Sequence, residues 1–317
     1  MGLADIYARG EAALRQKEIG FFLDGVETEF ILENDRRVLD RYTFRQQCID
    51  AVEADTRCRI LGVDLATPVV MSAMTMPIPS MGEDALEQVA RGLKNAGSLM
   101  WTGTPIPQNL ARLAAVVPLA ANVKPFSDRK KMFEAVEAVQ KEGVHWVGIE
   151  IDSGQGTKVK DRQMAKDCTP LQSKELREIR AMVDRPLIFK GILSAVDAVK
   201  AVDAGADAIV VSNHGAHTLD YLPHPLQVMD EIVAAVGGRT VIIVDGGFRR
   251  GSDVLKGLAF DARLVGLGRP ILYGLAADGE RGVQAVIEEI TGELKRLMTM
   301  THTPTPAHAG KHLLVEF

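Results

Sequence analysis

Two glycine-arginine segments, DGGFRRGSD at 245–253 and GLGRP at 266–270, have residue types that can hold a phosphate. Glycine lets the backbone approach an anion closely, and arginine adds a forked donor. Lys190 stands within the apolar run IFKGI, where an unpaired ammonium is costly and an anionic partner is needed. Two roles suit it: offsetting charge on a reduced cofactor, or forming a Schiff base if its pKa is depressed. His214 follows AIVVSN directly, a position suited to a general acid or base, and Asp152 can orient its ring.

These residues must be positioned by strands. From about residue 63, short apolar runs alternate with helical segments. The runs are ATPVVMSA, GSLMWTG, PLAANVK, HWVGIEID, PLIFKGI, DAIVVSN, TVIIVDGG and ARLVGLG. Eight such β-then-α units predict a (β/α)₈ TIM barrel of the α/β class. The competing fold, an open doubly wound sheet, is weakened by the lack of any G-x-G-x-x-G after a strand. One domain is expected over 1–317, with a short helical lead-in at 1–62, the barrel at 63–300 and a tail at 301–317. Residues 272–300 read as a long closing helix, and the tail as a frayed end or an arm on a neighbouring subunit.

A barrel of this kind does its chemistry at the carboxyl ends of its strands, and here those ends are polar. Ser72 closes the first strand, with Met74 and Thr75 just beyond it, and Gly103 and Thr104 close the second. Asn122 and Lys124 follow on the third, Glu150 and Asp152 on the fourth, Lys190 on the fifth, and Ser212, Asn213 and His214 on the sixth. The seventh ends in Asp245, Gly246 and Gly247 followed by Arg249, and the eighth in Gly268 and Arg269.

Composition narrows the partners. The chain has 317 residues, 46% hydrophobic and 25% charged, with a formal net charge of -5 and no basic cluster suited to nucleic acid. No apolar stretch is long enough to span a membrane, and the first residues carry charges where a secretion signal needs an apolar run. A cytoplasmic protein with a small-molecule substrate is expected. Cys48, Cys58 and Cys168 are too few and too irregularly spaced for a disulfide framework or a zinc site, so no metal is expected.

Several motifs lie in register with a known family. PLIFKGIL, AIVVSNHGAHTLDYLP and DGGFRRGSDVLKGLAFDARLVGLGRPILYGLAADGERGV resemble, in order and spacing, the FMN-dependent 2-hydroxy acid oxidases and dehydrogenases. That family includes glycolate oxidase, lactate oxidase and mandelate dehydrogenase. Weaker similarity reaches back to about residue 20. The resemblance implies a barrel that binds FMN, commonly in a homotetramer. It puts the catalytic histidine on His214, its aspartate partner on Asp152 and the flavin-contacting lysine on Lys190. The implied cofactor contacts are Ser72, Met74, Thr75, Gly103, Thr104, Asn122, Glu150, Lys190, Ser212, Asp245, Gly246, Gly247, Arg249, Gly268 and Arg269.

The departures fall where the substrate binds. The family's carboxylate-clamping arginine, three residues after the histidine, is His217 here, and the amino-terminal tyrosine is Phe21. A second tyrosine is Lys124, the glutamine two residues before it is Asn122, a threonine is Glu150, and a second arginine is Lys158. The 154–184 segment is also shorter than the family's covering loop. Arginine is not interchangeable with histidine or lysine at a forked site. The expected substrate contacts are His214, His217, Lys124, Lys158 and Phe21. Either Lys124, Lys158 and His217 bind an anion by a different arrangement, or the substrate is not a simple 2-hydroxy acid. Glu150 repels a carboxylate unless it pairs with Lys124, as strand-end neighbours of opposite charge can. Three other readings stay open: an FMN-dependent isomerase similar to type 2 isopentenyl diphosphate isomerase, a flavin-binding protein without the usual catalysis, and a flavin-free Schiff-base lyase.

Overall fold

The computed structural model describes residues 2–154 and 167–317, and the backbone alone at Phe21. Lys158 lies outside the described residues. The lead-in folds as helices α1 (Leu3–Gln16) and α2 (Phe30–Asp40), strand β1 (Tyr42–Phe44), and an antiparallel hairpin of β2 (Cys58–Ile60) and β3 (Val63–Leu65). The eight expected runs then appear in order as β4 (Val69–Met71), β5 (Met100–Thr102), β6 (Leu119–Val123), β7 (Trp146–Glu150), β8 (Leu187–Ile192), β9 (Ala208–Ser212), β10 (Val241–Asp245) and β11 (Leu264–Leu267). Between and after them come α3 (Ala85–Asn95), α4 (Leu110–Ala114), α5 (Arg129–Lys141), α6 (Ser173–Met182), α7 (Ala195–Asp203), α8 (Pro225–Val236), α9 (Gly251–Ala259) and α10 (Arg269–Met300).

The eight strands are parallel neighbours in the order β4-β11-β10-β9-β8-β7-β6-β5. The gap between β4 and β5 is bridged where Met71 N donates to Leu99 O at 3.1 Å and Met74 N donates to Trp101 O at 3.0 Å. The sheet thus closes on itself as a (β/α)₈ barrel.

Strand periodicity sorts the side chains into two cores. Outward residues such as Val69, Phe189, Val211, Val244 and Val265 pack under the helices. Inward residues, among them Val70, Trp101, Ala120, Trp146, Ile188, Val210, Ile243 and Leu264, fill the barrel. Trp101 and Trp146 meet edge to face, with ring centroids 6.1 Å apart. The β2–β3 hairpin plugs the floor with Ile60, Val63 and Leu65, and Trp146 Nε1 donates to Leu61 O at 3.2 Å. Residues 63–65 therefore belong to this plug rather than to the barrel wall. Two residues further along β4, β8, β9 and β10 the same inward face turns polar, and this places Ser72, Lys190, Ser212 and Asp245 above the apolar filling.

Both chain ends differ in detail from expectation. Helix α10 starts at Arg269 rather than 272, with Pro270 in its first turn, where a missing N–H costs nothing. It breaks at Asp278 and Gly279, whose backbones are not helical. The tail is neither frayed nor detached: β12 (Leu314–Glu316) pairs antiparallel with β1, Thr43 opposite Val315, and Leu313 is buried. The bend in α10 brings Gly274 and Gly282 together backbone to backbone, so a Cβ on Gly282 would collide with Gly274 O. G282A should therefore lower the urea midpoint, by about 1–3 kcal/mol of stability, with little change in far-ultraviolet circular dichroism.

Candidate active site

The barrel axis at its carboxyl end is organised by one buried cation. Lys190 is 3% exposed, and its Nζ lies 3.1 Å from Ser212 Oγ, to which it donates, and 3.7 Å from Asp245 Oδ2. Burial works against its charge, but Asp245, Asp152 and Glu150 outweigh that and hold the pKa above the usual lysine value. The amine is thus kept as an ammonium. That removes the Schiff-base reading, which needs a depressed pKa.

His214 sits on a short turn after β9 with a left-handed backbone, φ 55°. The turn is pinned where Ser212 Oγ accepts from His214 N at 3.0 Å and Asn213 Oδ1 accepts from Gly215 N at 3.2 Å. His214 Nδ1 is 2.8 Å from Asp152 Oδ2. Burial raises the Asp152 pKa, but the charges of His214 and Lys190 bring it below the ordinary carboxylate range. Asp152 is therefore an ionised acceptor for Nδ1–H, and in the neutral ring this puts the lone pair on Nε2. His214 and His217 both line the cavity above β8 and β9.

On the other side of the same cavity lie Gly246, Gly247, Arg249, Gly268 and Arg269. Arg269 Nη2 donates to Gly215 O at 2.7 Å, which ties this arginine to the histidine turn. The loop after β10 is braced from behind by groups that carry no local sequence signal. His224 Nδ1 accepts from Leu226 N at 3.1 Å, so its Nε2 carries the proton and donates to Gly246 O at 3.1 Å. Burial lowers the His224 pKa to about 3, which keeps the ring neutral.

Helix α2 supplies Arg36, whose Nη1 and Nη2 both donate to Asp253, and Asp253 in turn accepts from Arg249 N at 2.9 Å. Helix α1 supplies Tyr7, whose hydroxyl donates to Arg249 O at 2.7 Å. Asp35, 3% exposed, accepts from Asn213 Nδ2 at 2.8 Å and packs against Gly247. Gly247 has φ 75°, and a Cβ there would come within 2.6 Å of the Asp35 side chain, so only glycine suits this loop.

Ser72, Met74, Thr75, Gly103, Thr104, Lys124, Glu150 and Asp245 complete the expected residues on the wall. Thr75 Oγ1 donates to Gly103 O at 2.9 Å and accepts from Gly103 N at 3.0 Å, locking the ends of β4 and β5 together. Asn122 and Ser212 lie just behind the wall: Trp101 Nε1 donates to Asn122 Oδ1 at 2.7 Å, which holds that side chain toward the barrel filling. Glu150 Oε2 accepts from Ser153 Oγ at 3.1 Å, and no ion pair to Lys124 forms, contrary to expectation. Phe22, adjacent to the expected Phe21, lines the cavity.

The cavity is open at its mouth and runs from the Gly246, Gly247, Arg249, Gly268 and Arg269 side across to Lys190 and His214. Three buried polar atoms in it or at its edge have no protein partner: Arg269 Nε, Thr104 Oγ1 and Asn122 Nδ2. A phosphate answers the arginine, and the polar edge of a ring answers a hydroxyl and an amide, so the residues present fit FMN.

Phosphate donors on one side and a buried ammonium beside an aspartate-held histidine on the other define a flavin-dependent oxidoreductase. Comparison with known proteins gives the family. The sequence model for FMN-dependent dehydrogenases matches residues 11–171 and 153–316, and the chain belongs to that family. L-lactate oxidase of Lactobacillus jensenii is 31% identical over 325 residues, spanning 90% of this chain and 78% of that protein. Glycolate oxidase 3 of Arabidopsis thaliana is 27% identical over 319 residues, spanning 89% and 86%. The crystal structure of mandelate oxidase superposes with a TM-score of 0.90 at 28% identity, covering 100% of this chain and 98% of that one. FMN is the cofactor.

Removing the arginine fork should weaken cofactor binding. R269A is expected to raise the FMN dissociation constant about 10- to 100-fold, and R269K should recover part of the loss; fluorescence of released flavin reads both. Asp35 gives a pH signature. Burial pushes its pKa from 3.8 to about 7, against the Asn213 hydrogen bond and the Arg269 and Arg249 charges. Below its unfolded pKa the group costs nothing, and as pH rises through the folded value its stability contribution is lost. D35N does not titrate, so from pH 5 to pH 8 wild type should lose about 2–3 kcal/mol relative to D35N in urea melts.

Proposed function

We propose that this protein oxidises a small 2-hydroxy acid to the 2-oxo acid, with His214 Nε2 as the base. The observation that carries the reading is the 2.8 Å contact from His214 Nδ1 to Asp152, which in the neutral ring puts the lone pair on Nε2, beside a cavity shared with the Lys190 ammonium. The activities named for the lactate, glycolate and mandelate oxidases that resemble this chain support it. FMN supplies the two-electron acceptor for the C2 hydrogen and its bonding electrons. His214 takes the hydroxyl proton, Asp152 stabilises the imidazolium that results, and Lys190 offers positive charge beside the acceptor.

Lys124 is the anchor we assign to the substrate carboxylate. It is 6% exposed, lines the cavity, and its side chain has no hydrogen bond or ion pair among the described residues. A buried lysine in that state favours an anion. His217 and Phe22 line the same space, and Phe21 and Lys158 keep the substrate-contact roles that the family resemblance implies. The expected FMN contacts keep the roles given them above, and residues 1–317 act as one FMN-binding domain. A homotetramer is proposed on the family resemblance, and a cytoplasmic location on the free thiols of Cys48, Cys58 and Cys168. No helix among the described residues is long and apolar enough to cross a membrane.

Anaerobic addition of the correct 2-hydroxy acid should bleach the flavin band and release one equivalent of 2-oxo acid. H214Q should slow bleaching by about two to four orders of magnitude. K124M should weaken binding of oxalate, read from the flavin spectrum, about 10- to 100-fold. Purified protein that stays colourless with FMN would refute the cofactor assignment. A coloured protein that no 2-hydroxy acid bleaches, in either enantiomer, would refute the substrate assignment.

A further inference from the structure

At the end of the barrel two lysines, Lys190 and Lys124, stand with three carboxylates, Asp152, Asp245 and Glu150, while Arg249 and Arg269 lie across the same cavity. Two of the carboxylates have evident partners: Asp152 is held by His214, and Asp245 lies 3.7 Å from Lys190. Glu150 is the third. It ends β7 in register with Lys190 on β8 and is 3% exposed. One oxygen, Oε2, accepts from Ser153 Oγ at 3.1 Å. The other, Oε1, faces the end of β5, where a Cβ on Gly103 would lie 3.4 Å from it. Gly103 and Glu150 both line the cavity, so this oxygen is presented at the wall between them. Lys124 does not neutralise it, and the family resemblance puts an uncharged threonine at this position.

We propose that Glu150 tunes the cofactor: its carboxylate, placed beside the flavin-facing Lys190, lowers the two-electron reduction potential of bound FMN. The proposal rests on the reading that FMN occupies this cavity. The physical reason is that electrons added to a group near a fixed negative charge in a water-poor site are repelled by it. Lys190 favours the reduced state, and Glu150 takes back part of that advantage. Its consequence is thermodynamic. The oxidised cofactor becomes a weaker acceptor from a hydroxy acid, and the reduced cofactor a stronger donor, able to pass its electrons to acceptors of lower potential. A structural counter-ion for Lys190 could be replaced by any group that satisfies the ammonium; a tuning residue acts through its charge.

The test is the midpoint potential of the FMN-loaded protein, measured by dye equilibration. E150Q keeps the shape and removes the charge, and it should shift the reduction equilibrium at least tenfold toward the reduced form, about 30 mV upward for two electrons. E150D keeps the charge and should stay nearer to wild type than to E150Q. If E150Q does not hold FMN, E150T carries the same test. An unchanged or lower potential in the uncharged variant, or an equal shift in E150D, overturns the proposal. Wild type that shows no flavin spectrum refutes the FMN reading instead, so the two failures are distinguishable.

Discussion

An ammonium inside a protein must be surrounded by negative charge or lose its proton, and the carboxyl end of this barrel is arranged around that demand. Lys190 is placed on the axis by strand alternation, immediately above the apolar filling headed by Ile188. Asp245 comes from the end of β10, and Glu150 and Asp152 come from the end of β7 and the turn that follows it, so two separate chain segments converge on one charge. Asp152 then serves two groups at once. It supports the lysine by its charge and fixes the tautomer of His214 by its hydrogen bond. The base and the cation of the site are therefore coupled through a single carboxylate.

The phosphate side is coupled to the same machinery. Arg269 holds the carbonyl of Gly215 in the histidine turn, and Asn213 joins that turn to Asp35 beneath Gly247. Cofactor binding and base positioning thus share a hydrogen-bonded frame. Much of that frame comes from the lead-in: Tyr7, Asp35 and Arg36 brace the loop that carries Gly247 and Arg249. A segment that reads as a charged surface helix is part of the wall behind the cofactor.

Several site residues were legible because their surroundings were improbable. A lysine inside IFKGI and a histidine directly after AIVVSN stand out against apolar runs, and the two glycine-arginine loops stand out by type and spacing. Others were opaque. Asp35 and Arg36 lie in ENDRR, which has the composition of a solvated helix face, although Asp35 shares a helical stripe with the apolar Ile31, Val38 and Leu39. His224 stands in a proline-flanked loop, and only the docking of α8 puts its ring against Gly246. The expected pairing of Glu150 with Lys124 failed for a similar reason. Adjacent strand ends gave proximity, but side-chain direction sent Glu150 toward Ser153 and Gly103.

The order of strands, their inward polar ends and the placing of His214, Lys190 and the two glycine-arginine loops at those ends were determined by sequence, because strand periodicity and glycine or arginine chemistry are local properties. The partners of those groups were decided by tertiary structure. Which carboxylates face Lys190, which helix lies under Gly247, and where the tail pairs depend on contacts between segments tens to hundreds of residues apart. The charge state of the site belongs to the second class. Lys190 is an ammonium rather than a free amine because closure of the barrel brings three carboxylates to it against the cost of burial.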